Sequence, residues 1–238
     1  MSNLKDVVDK SSGFYINSIL NFDYKLCEFN FKTFQPFFRG SLALELGPAT
    51  GYMTKYLVDC FKELHLVEGA GELLNKIPDY PNVKKFHSLF EDYTCERSYD
   101  TIIMGHVLEH IEDPVAILRK IYSWLSDDGV LLLSVPNARS IHRMVAVEMG
   151  VLESIYTLNS RDKELGHYRV YDMDSLKKDV AGAGFTVVDS GGIFFKPLSN
   201  KQIEENWTEE MIAGFFKISP FFKENCAEIF VVCTKQAV

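Results

Sequence analysis

The fold is decided by the stretch Leu42-Ala43-Leu44-Glu45-Leu46-Gly47-Pro48-Ala49-Thr50-Gly51. It predicts a short apolar strand that ends in a turn with two glycines, and a helical pattern follows at Tyr52–Cys60. A strand that is apolar nearly throughout is covered on both faces, as strands of a parallel sheet are. Glycines at such a turn let a ligand approach the backbone, and the next helix offers free N–H groups.

The same alternation of strands and helices continues along the chain. Further strand patterns occur at His65–Glu68, Val83–Phe90, Tyr99–Met104, Val130–Val135, Phe185–Val188 and Glu228–Cys233. Helical patterns occur at Ala70–Ile77, Pro114–Trp124, Asp174–Ala183 and near Lys201–Phe216. Such alternation predicts βαβ units and hence an α/β fold with a parallel sheet.

Composition narrows the class of protein. The chain has 238 residues and a net charge of −8, which suits one domain or one domain with an added lobe. Its five scattered cysteines lack C-x-x-C spacing and indicate neither a disulfide framework nor a zinc ribbon. The polar start and the lack of a long apolar run predict a cytoplasmic protein with no membrane partner. Without a basic tract we expect no nucleic-acid partner, and we expect a monomer or homodimer.

The glycine turn has the spacing of a cofactor site. Gly47 and Gly51 are separated by three residues, and Glu68, followed by Gly69, lies about 20 residues beyond the turn. An acidic residue at that distance is placed to accept both ribose hydroxyls of a nucleoside cofactor. The three-glycine dinucleotide pattern is missing, which favours a cofactor without pyrophosphate. The alternative is a turn whose glycines serve only tight packing.

Further motifs follow in a set order, and with them residues 42–184 resemble the class I S-adenosylmethionine-dependent methyltransferases. These motifs are Ser88-Leu89-Phe90, Tyr99-Asp100, Val107-Leu108-Glu109-His110, Asp113-Pro114, Leu118, Leu125, Gly129 and Val135-Pro136-Asn137. The resemblance implies a Rossmann-like, doubly wound sheet of seven strands, mostly parallel with an antiparallel last strand, plus helical lid segments. It also implies S-adenosyl-L-methionine as cofactor and S-adenosyl-L-homocysteine as product.

The resemblance assigns cofactor contacts to particular positions. Glu45 and the turn from Gly47 to Gly51 are expected to hold the methionyl end, and Glu68 the ribose. The remaining assigned residues are Gly69 after the ribose-binding Glu68, Leu89 and Phe90 beside the adenine, Ser88 near its amino group, and Gly105 and His106 beneath the sulfonium.

Aromatic residues are dense in the first forty positions. They predict an N-terminal helical lid over residues 1–40, ahead of a methyltransferase domain over residues 41–238. Most of the phenylalanines are expected to pack over the sheet edge. Tyr15 is a candidate to close over the methionyl carboxylate, with its hydroxyl as the polar group.

Methyl transfer is an in-line displacement that needs a base when the acceptor is a hydroxyl or an ammonium. His106 and His110 follow the fourth strand, on the edge that faces the cofactor, and His106 is the predicted base. The alternative is a packing role for either ring. The run His106-x-x-Glu109-His110, with His142 or His167, also resembles the metal-ligand spacing of small-RNA 2′-O-methyltransferases. Because this stretch needs no metal in most relatives, we expect none here.

Residues 138–170 interrupt the α/β alternation and predict a substrate-lid insertion. This segment is locally basic in an acidic chain, and arginine suits carboxylate or phosphate oxygens. We therefore expect a small anionic acceptor. The alternative is a solvated lid face with ion pairs inside the chain. The predicted acceptor-binding residues are Arg139, His142, Arg143, His167, Tyr168 and Arg169.

The sequence thus predicts an S-adenosylmethionine-dependent enzyme that methylates an oxygen of a small, anionic acceptor, with histidine-assisted deprotonation. Three alternatives stay open. They are N-methylation of a small molecule, methylation of RNA or protein, and a cofactor-binding regulator without turnover.

Overall fold

A seven-stranded sheet forms the centre of the computed structural model, which describes residues 12–13, 21–95 and 97–235. The strand order is β3-β2-β1-β4-β5-β7-β6. All pairs are parallel except those of β7, which runs antiparallel to β5 and β6. This confirms the predicted doubly wound sheet. The strands are β1 Leu42–Leu46, β2 Glu63–Glu68, β3 Val83–His87, β4 Tyr99–Gly105, β5 Leu125–Pro136, β6 Phe185–Ile193 and β7 Glu228–Lys235.

Helices cover both faces of the sheet. They are α1 Asn21–Phe34, α2 Thr54–Leu57, α3 Gly71–Leu74, α4 Pro114–Trp124, α5 Ile141–Glu148, α6 Ser160–Glu164, α7 Met173–Gly182, α8 Asn200–Asn206 and α9 Glu209–Lys217. Helix α4 has the predicted bounds, because the Asp113 side chain accepts a hydrogen bond from the Ala116 N–H at 3.0 Å. The helix predicted near residues 201–216 is two helices, since Trp207 is extended and Thr208 caps α9.

The helices predicted at Tyr52–Cys60 and Ala70–Ile77 are shorter in the structure. Each has a single four-residue α-helical segment, α2 or α3, flanked by hydrogen-bonded turns. The strand β5 is longer than predicted, because it already pairs with β4 at Leu125. These differences lie at element ends, where hydrogen bonding rather than apolar pattern sets the boundary.

Strand β1 buries both of its faces. Leu42, Leu44 and Leu46 lie in one apolar cluster, whereas Ala43 lies in the other. Successive side chains of a strand point to opposite faces, so this division places an apolar layer on each side of the sheet. It explains the continuous apolar pattern from which the fold was predicted.

The N-terminal helix α1 is joined to the far end of the chain by aromatic side chains. The Phe194 ring, just after β6, lies 5.1 Å from Phe22 and 5.3 Å from Phe29, and Phe29 stacks on Phe216 at 4.2 Å. Phe194 is fully buried, with a φ of 59°. The packing role predicted for these phenylalanines is consistent with this cluster. The candidate Tyr15 lies outside the described residues, and the boundary at residue 40 stays a prediction.

The segment 138–170 contains α5 and α6 rather than a bare loop. Its ends are adjacent, because Asn137 forms a parallel β-bridge with Tyr171, and the Ala138 N–H donates to the Tyr171 carbonyl at 2.7 Å. Within the described residues, no helix combines the length and apolar character that crossing a bilayer requires.

Candidate active site

Two cavities meet at the carboxyl ends of β1 and β4. The strand order reverses between these two strands, and open α/β sheets bind their ligands at such a point. The larger cavity has a volume of about 450 Å³ and the smaller about 120 Å³. Both are lined by Gly47, Ala49 and His106, so ligands in the two cavities share one wall.

The smaller cavity has the features predicted for the nucleoside half of the cofactor. Glu68, Gly69, Leu89 and Phe90 line it together. One oxygen of Glu68 accepts from the Ala70 N–H at 2.9 Å, and the other accepts from the Ala49 N–H at 3.1 Å. The carboxylate is therefore held at the cavity wall, where it can also accept ribose hydroxyls.

Ser88 does not line either of the cavities in the described part of the chain. Its hydroxyl donates instead to the Leu89 carbonyl at 2.9 Å. The predicted contact between Ser88 and the adenine amino group thus lacks support in this geometry. A serine side chain is too short to reach past its own backbone when it is engaged in this way.

The turn after β1 requires glycine for two reasons. Gly47 has a φ of 66°, a left-handed conformation that L side chains rarely adopt. A Cβ atom at this position would also lie 2.6 Å from the Val107 side chain. The glycine therefore brings the backbone close to β4 and leaves the shared cavity wall free of a side chain.

Glu45 projects from β1 into the larger cavity and is almost fully buried. Its carboxylate accepts a hydrogen bond from the Thr54 hydroxyl at 2.6 Å. Burial raises the pKa of Glu45 to about 7, and the hydrogen bond from Thr54 opposes this only in part. A cationic ligand at this position would favour the ionised form.

We expect cofactor affinity to fall as the pH is lowered from about 8 to about 6. The methionyl ammonium that the resemblance assigns to Glu45 would pair with the ionised carboxylate, whereas a pKa of about 7 leaves Glu45 protonated below that pH. Binding must then release a proton, so Kd rises by up to about tenfold per pH unit. Calorimetry with S-adenosyl-L-homocysteine measures this, and Glu45→Gln should remove the pH dependence. A wild-type Kd that is constant over this range would contradict the assignment.

His106 lies at the junction of the cavities, between two carboxylates. Its Nε2 is 2.9 Å from Glu228 Oε1, and its Nδ1 is 3.5 Å from Glu109 Oε1. Burial lowers the pKa of His106, but the two carboxylates outweigh burial and hold this pKa well above its ordinary value. Both ring nitrogens therefore face acidic groups rather than the open cavity. The backbone of His106 has a φ of 55°, which directs the ring into this position.

Glu228 is a site residue that the sequence analysis missed. It is the first residue of β7 and is 2% exposed, and Asn30 of α1 donates to its Oε2 at 2.5 Å. Because β7 runs antiparallel, its start lies at the same edge as the ends of β4 and β5. The sequence did show an acidic residue, Glu228, at the start of an apolar strand that was predicted to be antiparallel.

The turn after β4 and the insertion bring Glu109, His110 and His167 together. Each of the three offers one ligand atom, and these atoms lie within 4.8 Å of one another. The Tyr168 N–H donates to the Glu109 carbonyl at 2.8 Å, which places His167 beside the turn. Burial lowers the pKa of His110 to about 4 and also lowers that of His167. Burial therefore favours the neutral ring of His110, which lines the smaller cavity.

The structure separates the predicted acceptor-binding residues into two groups. His142, Arg143 and His167 line the larger cavity. Arg143 is already engaged, because its guanidinium donates to the Ile155 and Thr157 carbonyls and to Asp162. Arg143 therefore holds the insertion in shape more than it offers a free donor to a ligand.

Arg139, Tyr168 and Arg169 do not line the cavities formed by the described residues. Arg139 pairs with Asp172, and Arg169 donates to the Ile111 and Glu112 carbonyls. The Tyr168 side chain is 40% exposed. The geometry at these three positions fits the alternative, a solvated lid face with contacts inside the chain. The number of charged residues in a segment does not show where their side chains point.

Lys196 is a second residue that the sequence analysis missed. It follows β6, lines the larger cavity and is 9% exposed. Its ammonium donates to the Asn200 side-chain oxygen at 2.7 Å. Burial lowers the pKa of Lys196 to about 8, and the charges of Glu228 and Asp23 oppose this. A lysine directly after the apolar run Ile193-Phe194-Phe195 was the only signal in the sequence.

Contacts between lid elements form part of the wall of the larger cavity. Arg161 of α6 pairs with Asp23 of α1 at 2.7 Å, and Asn200 of α8 donates to Asp23 at 2.7 Å. The N-terminal helix therefore contacts the insertion and α8 at the cavity wall through charged and amide side chains.

Comparisons with known proteins give the family of the chain. A family model described as a methyltransferase domain matches residues 21–190. The chain is 25% identical over 185 residues to the ubiquinone biosynthesis O-methyltransferase of Xanthomonas euvesicatoria, covering 71% of this chain and 73% of that protein. It is 35% identical over 96 residues to the malonyl-[acyl-carrier protein] O-methyltransferase of Bacillus cereus, covering 38% of this chain and 36% of that protein.

Among solved structures, the N-methyltransferase NodS of Bradyrhizobium japonicum in complex with S-adenosyl-L-homocysteine has a similar fold. The TM-score is 0.61 at 11% identity, over 98% of this chain and 97% of that one. The residues that match the family model include the glycine turn, Glu68 and His106, all of which line the smaller cavity. The chain therefore belongs to the methyltransferase-domain family, and it is an enzyme that uses S-adenosyl-L-methionine as its cofactor.

Proposed function

We propose that the chain transfers a methyl group from S-adenosyl-L-methionine to an oxygen of a small anionic acceptor in the larger cavity. The buried position of Lys196 is the observation that supports a negative charge on the acceptor. It is buried at the cavity wall, and its ammonium donates to the neutral side chain of Asn200. Glu228 and Asp23 favour this buried ammonium through their charge, and a negative group of the acceptor in direct contact with it would add to that stabilisation.

Three of the five carboxylates that line the larger cavity already contact cationic groups. Asp23 contacts Arg161, Asp162 contacts Arg143, and Glu228 contacts His106. A cationic amine acceptor would have to compete with these contacts, whereas an anionic acceptor would not. The balance of paired acids and a buried lysine therefore favours an anion over an amine.

Oxygen as the accepting atom is supported by the relatives. Both curated relatives named above are O-methyltransferases, and the alignment with the first extends over 71% of the chain. The acceptor must place its oxygen near the shared wall, where His106 lies. His106 stays the predicted base, and because its two carboxylate neighbours favour the protonated ring, this ring would have to lose a proton before it could take one from the acceptor.

We expect Lys196→Met to raise the KM for anionic acceptors by about 10–100-fold while a neutral analogue is hardly affected. Formation of S-adenosyl-L-homocysteine is followed with pairs of hydroxylated acceptors that differ only in a carboxylate or a carboxamide. The matched control is Lys178→Met, because Lys178 is exposed on α7. Calorimetry with S-adenosyl-L-homocysteine verifies that each variant folds. Equal KM changes for both acceptors, or none for either, would refute the proposal.

Mass analysis of the product separates oxygen from nitrogen methylation. An acceptor with both a hydroxyl and an amine should carry the label on oxygen. Turnover of amines alone would support N-methylation, and cofactor binding without turnover of any acceptor would support a regulatory protein.

A further inference from the structure

We propose that the positive sulfur of the methyl donor drives a proton off His106, so that this ring is neutral whenever S-adenosyl-L-methionine is bound. The ring lies between two carboxylates, since its Nε2 is 2.9 Å from Glu228 Oε1 and its Nδ1 is 3.5 Å from Glu109 Oε1. Two carboxylates favour the protonated ring, whereas a positive charge beside the ring opposes it. The protonation of His106 therefore depends on the charge of the ligand.

The two cavities determine where the positive sulfur lies. This sulfur joins the ribose to the methionyl chain, and we expect the ribose at Glu68 in the smaller cavity and the methionyl chain at Glu45 in the larger one. The sulfur then lies where the cavities meet. Gly47, Ala49 and His106 form the wall that the cavities share there, and of these three only His106 has a side chain that can carry a charge.

Charge is the main effect that keeps the proton on the ring. Glu228 Oε1 and both oxygens of Glu109 accept no hydrogen bond of good geometry from the residues that the structure describes. Burial lowers the pKa of His106, and the charge of Glu228 is the largest of the effects that outweigh burial and raise this pKa. Asn30 fixes Glu228, because its side-chain N–H donates to Glu228 Oε2 at 2.5 Å. A proton that is held by charge responds to a further charge nearby.

Other ionisable groups also lie near the ring. His110 of the turn after β4 and His167 of the insertion interact with the charge of His106. Burial lowers the pKa of His110 to about 4 and also lowers that of His167, so both rings are neutral at pH 7. Lys196, which follows β6, interacts with Glu228, and burial lowers its pKa to about 8. Lys196 could therefore also release a proton, and a test has to distinguish it from His106.

A proton on His106 has access to water, because 32% of the side chain is exposed. When the proton leaves, a ring N–H bond breaks, its electron pair stays on the nitrogen, and the proton passes to solvent. The ring takes up a proton again in the complex with S-adenosyl-L-homocysteine, in which the sulfur is neutral. Neutral His106 is the form that can act as a base. That role rests on the proposed O-methylation, whereas the loss of the proton does not.

The test compares two ligands that differ in the charge of their sulfur. The full chain is titrated with S-adenosyl-L-methionine and with S-adenosyl-L-homocysteine in buffers of different ionisation enthalpy, between about pH 6.5 and about pH 9, and calorimetry gives the number of protons released. Both ligands carry the methionyl ammonium, so the contribution of Glu45 cancels in the difference. We expect S-adenosyl-L-methionine to release about 0.3–1 proton more at the pH of the largest difference.

Magnetic resonance of isotope-labelled histidine reads the ring directly. We expect a protonated His106 ring in the free chain and with S-adenosyl-L-homocysteine, and a neutral ring with S-adenosyl-L-methionine. His106→Asn should abolish the difference in proton release, and asparagine suits the φ of 55° at this position. Lys196→Met should retain the difference, as should the matched control His87→Gln at an exposed histidine of β3. Glu228→Gln should move the largest difference to lower pH, because the ring then loses its proton more readily.

Three results would overturn the proposal. They are equal proton release with both ligands over the whole pH range, a His106 ring of the same charge in both complexes, or a difference that persists in His106→Asn. The first two are measured on the unaltered chain, so they decide the question even where a substitution prevents folding. Because no acceptor is present, failure of this test is separate from failure of the proposed O-methylation.

Discussion

Glu68→Ala is expected to weaken the binding of S-adenosyl-L-homocysteine by about 10²–10³-fold, or about 3–4 kcal/mol. The carboxylate is fixed at the wall of the smaller cavity by the Ala49 and Ala70 N–H groups. Each ribose hydroxyl that donates to a charged acceptor contributes about 1.5–3 kcal/mol, and alanine removes both acceptors. Calorimetry at constant pH and salt measures the change in Kd.

Two variants control this result. Glu68→Gln keeps one side-chain oxygen and the size of the residue, so we expect a smaller loss of about tenfold. Glu72→Ala removes an exposed carboxylate from α3 and should leave Kd unchanged. The unfolding temperature of each variant without ligand shows whether the loop itself is disturbed. A Kd for Glu68→Ala within threefold of wild type would show that Glu68 does not bind the ribose.

Phe194→Ala is expected to lower the free energy of unfolding by about 3–5 kcal/mol. The ring is fully buried and contacts Phe22 and Phe29 of α1. Its loss leaves a cavity between the N-terminal helix and the end of β6. Urea or thermal unfolding measures the change, which corresponds to a fall in the unfolding temperature of about 6–20 °C for a domain of this size.

Two further variants serve as controls for Phe194→Ala. Phe194→Leu keeps most of the apolar volume and should cost less than about 2 kcal/mol. Phe221→Ala removes a ring that is 83% exposed, and its effect should lie within about 0.5 kcal/mol of zero. If Phe221→Ala and Phe194→Ala destabilise the chain equally, the aromatic cluster does not hold α1 in place. Since Asp23 and Asn30 of α1 line the larger cavity, Phe194→Ala should also weaken acceptor binding.

The cofactor half of the molecule was accessible to sequence reasoning because its determinants are local. The apolar strand β1, the turn at Gly47 and the acidic end of β2 follow one another within 27 residues, from Leu42 to Glu68. Backbone conformation explains this, since a φ of 66° with Val107 at contact distance leaves glycine as the residue that fits. The seven-stranded, mostly parallel sheet with its antiparallel last strand followed from the resemblance.

The acceptor half was less accessible because its residues meet only through tertiary pairing. Glu228 reaches the site because β7 is antiparallel and pairs with Pro136 at the end of β5. Lys196 faces the cavity because of the turn after β6. The basic excess in the insertion suggested donors for a ligand, yet Arg169 donates to backbone carbonyls and Arg139 pairs with Asp172. The amino-acid composition of the insertion shows how many charged side chains it has, but not which groups those side chains contact.

The insertion begins and ends at one place, the bridge between Asn137 and Tyr171. A segment whose ends are already adjacent can be lengthened, shortened or exchanged at small entropic cost, because the sheet does not have to move. His142, Arg143 and His167 all lie between these two points, whereas Glu45, Gly47 and Glu68 precede them. Changes within this one segment can therefore reshape part of the acceptor cavity while the cofactor turn stays as it is.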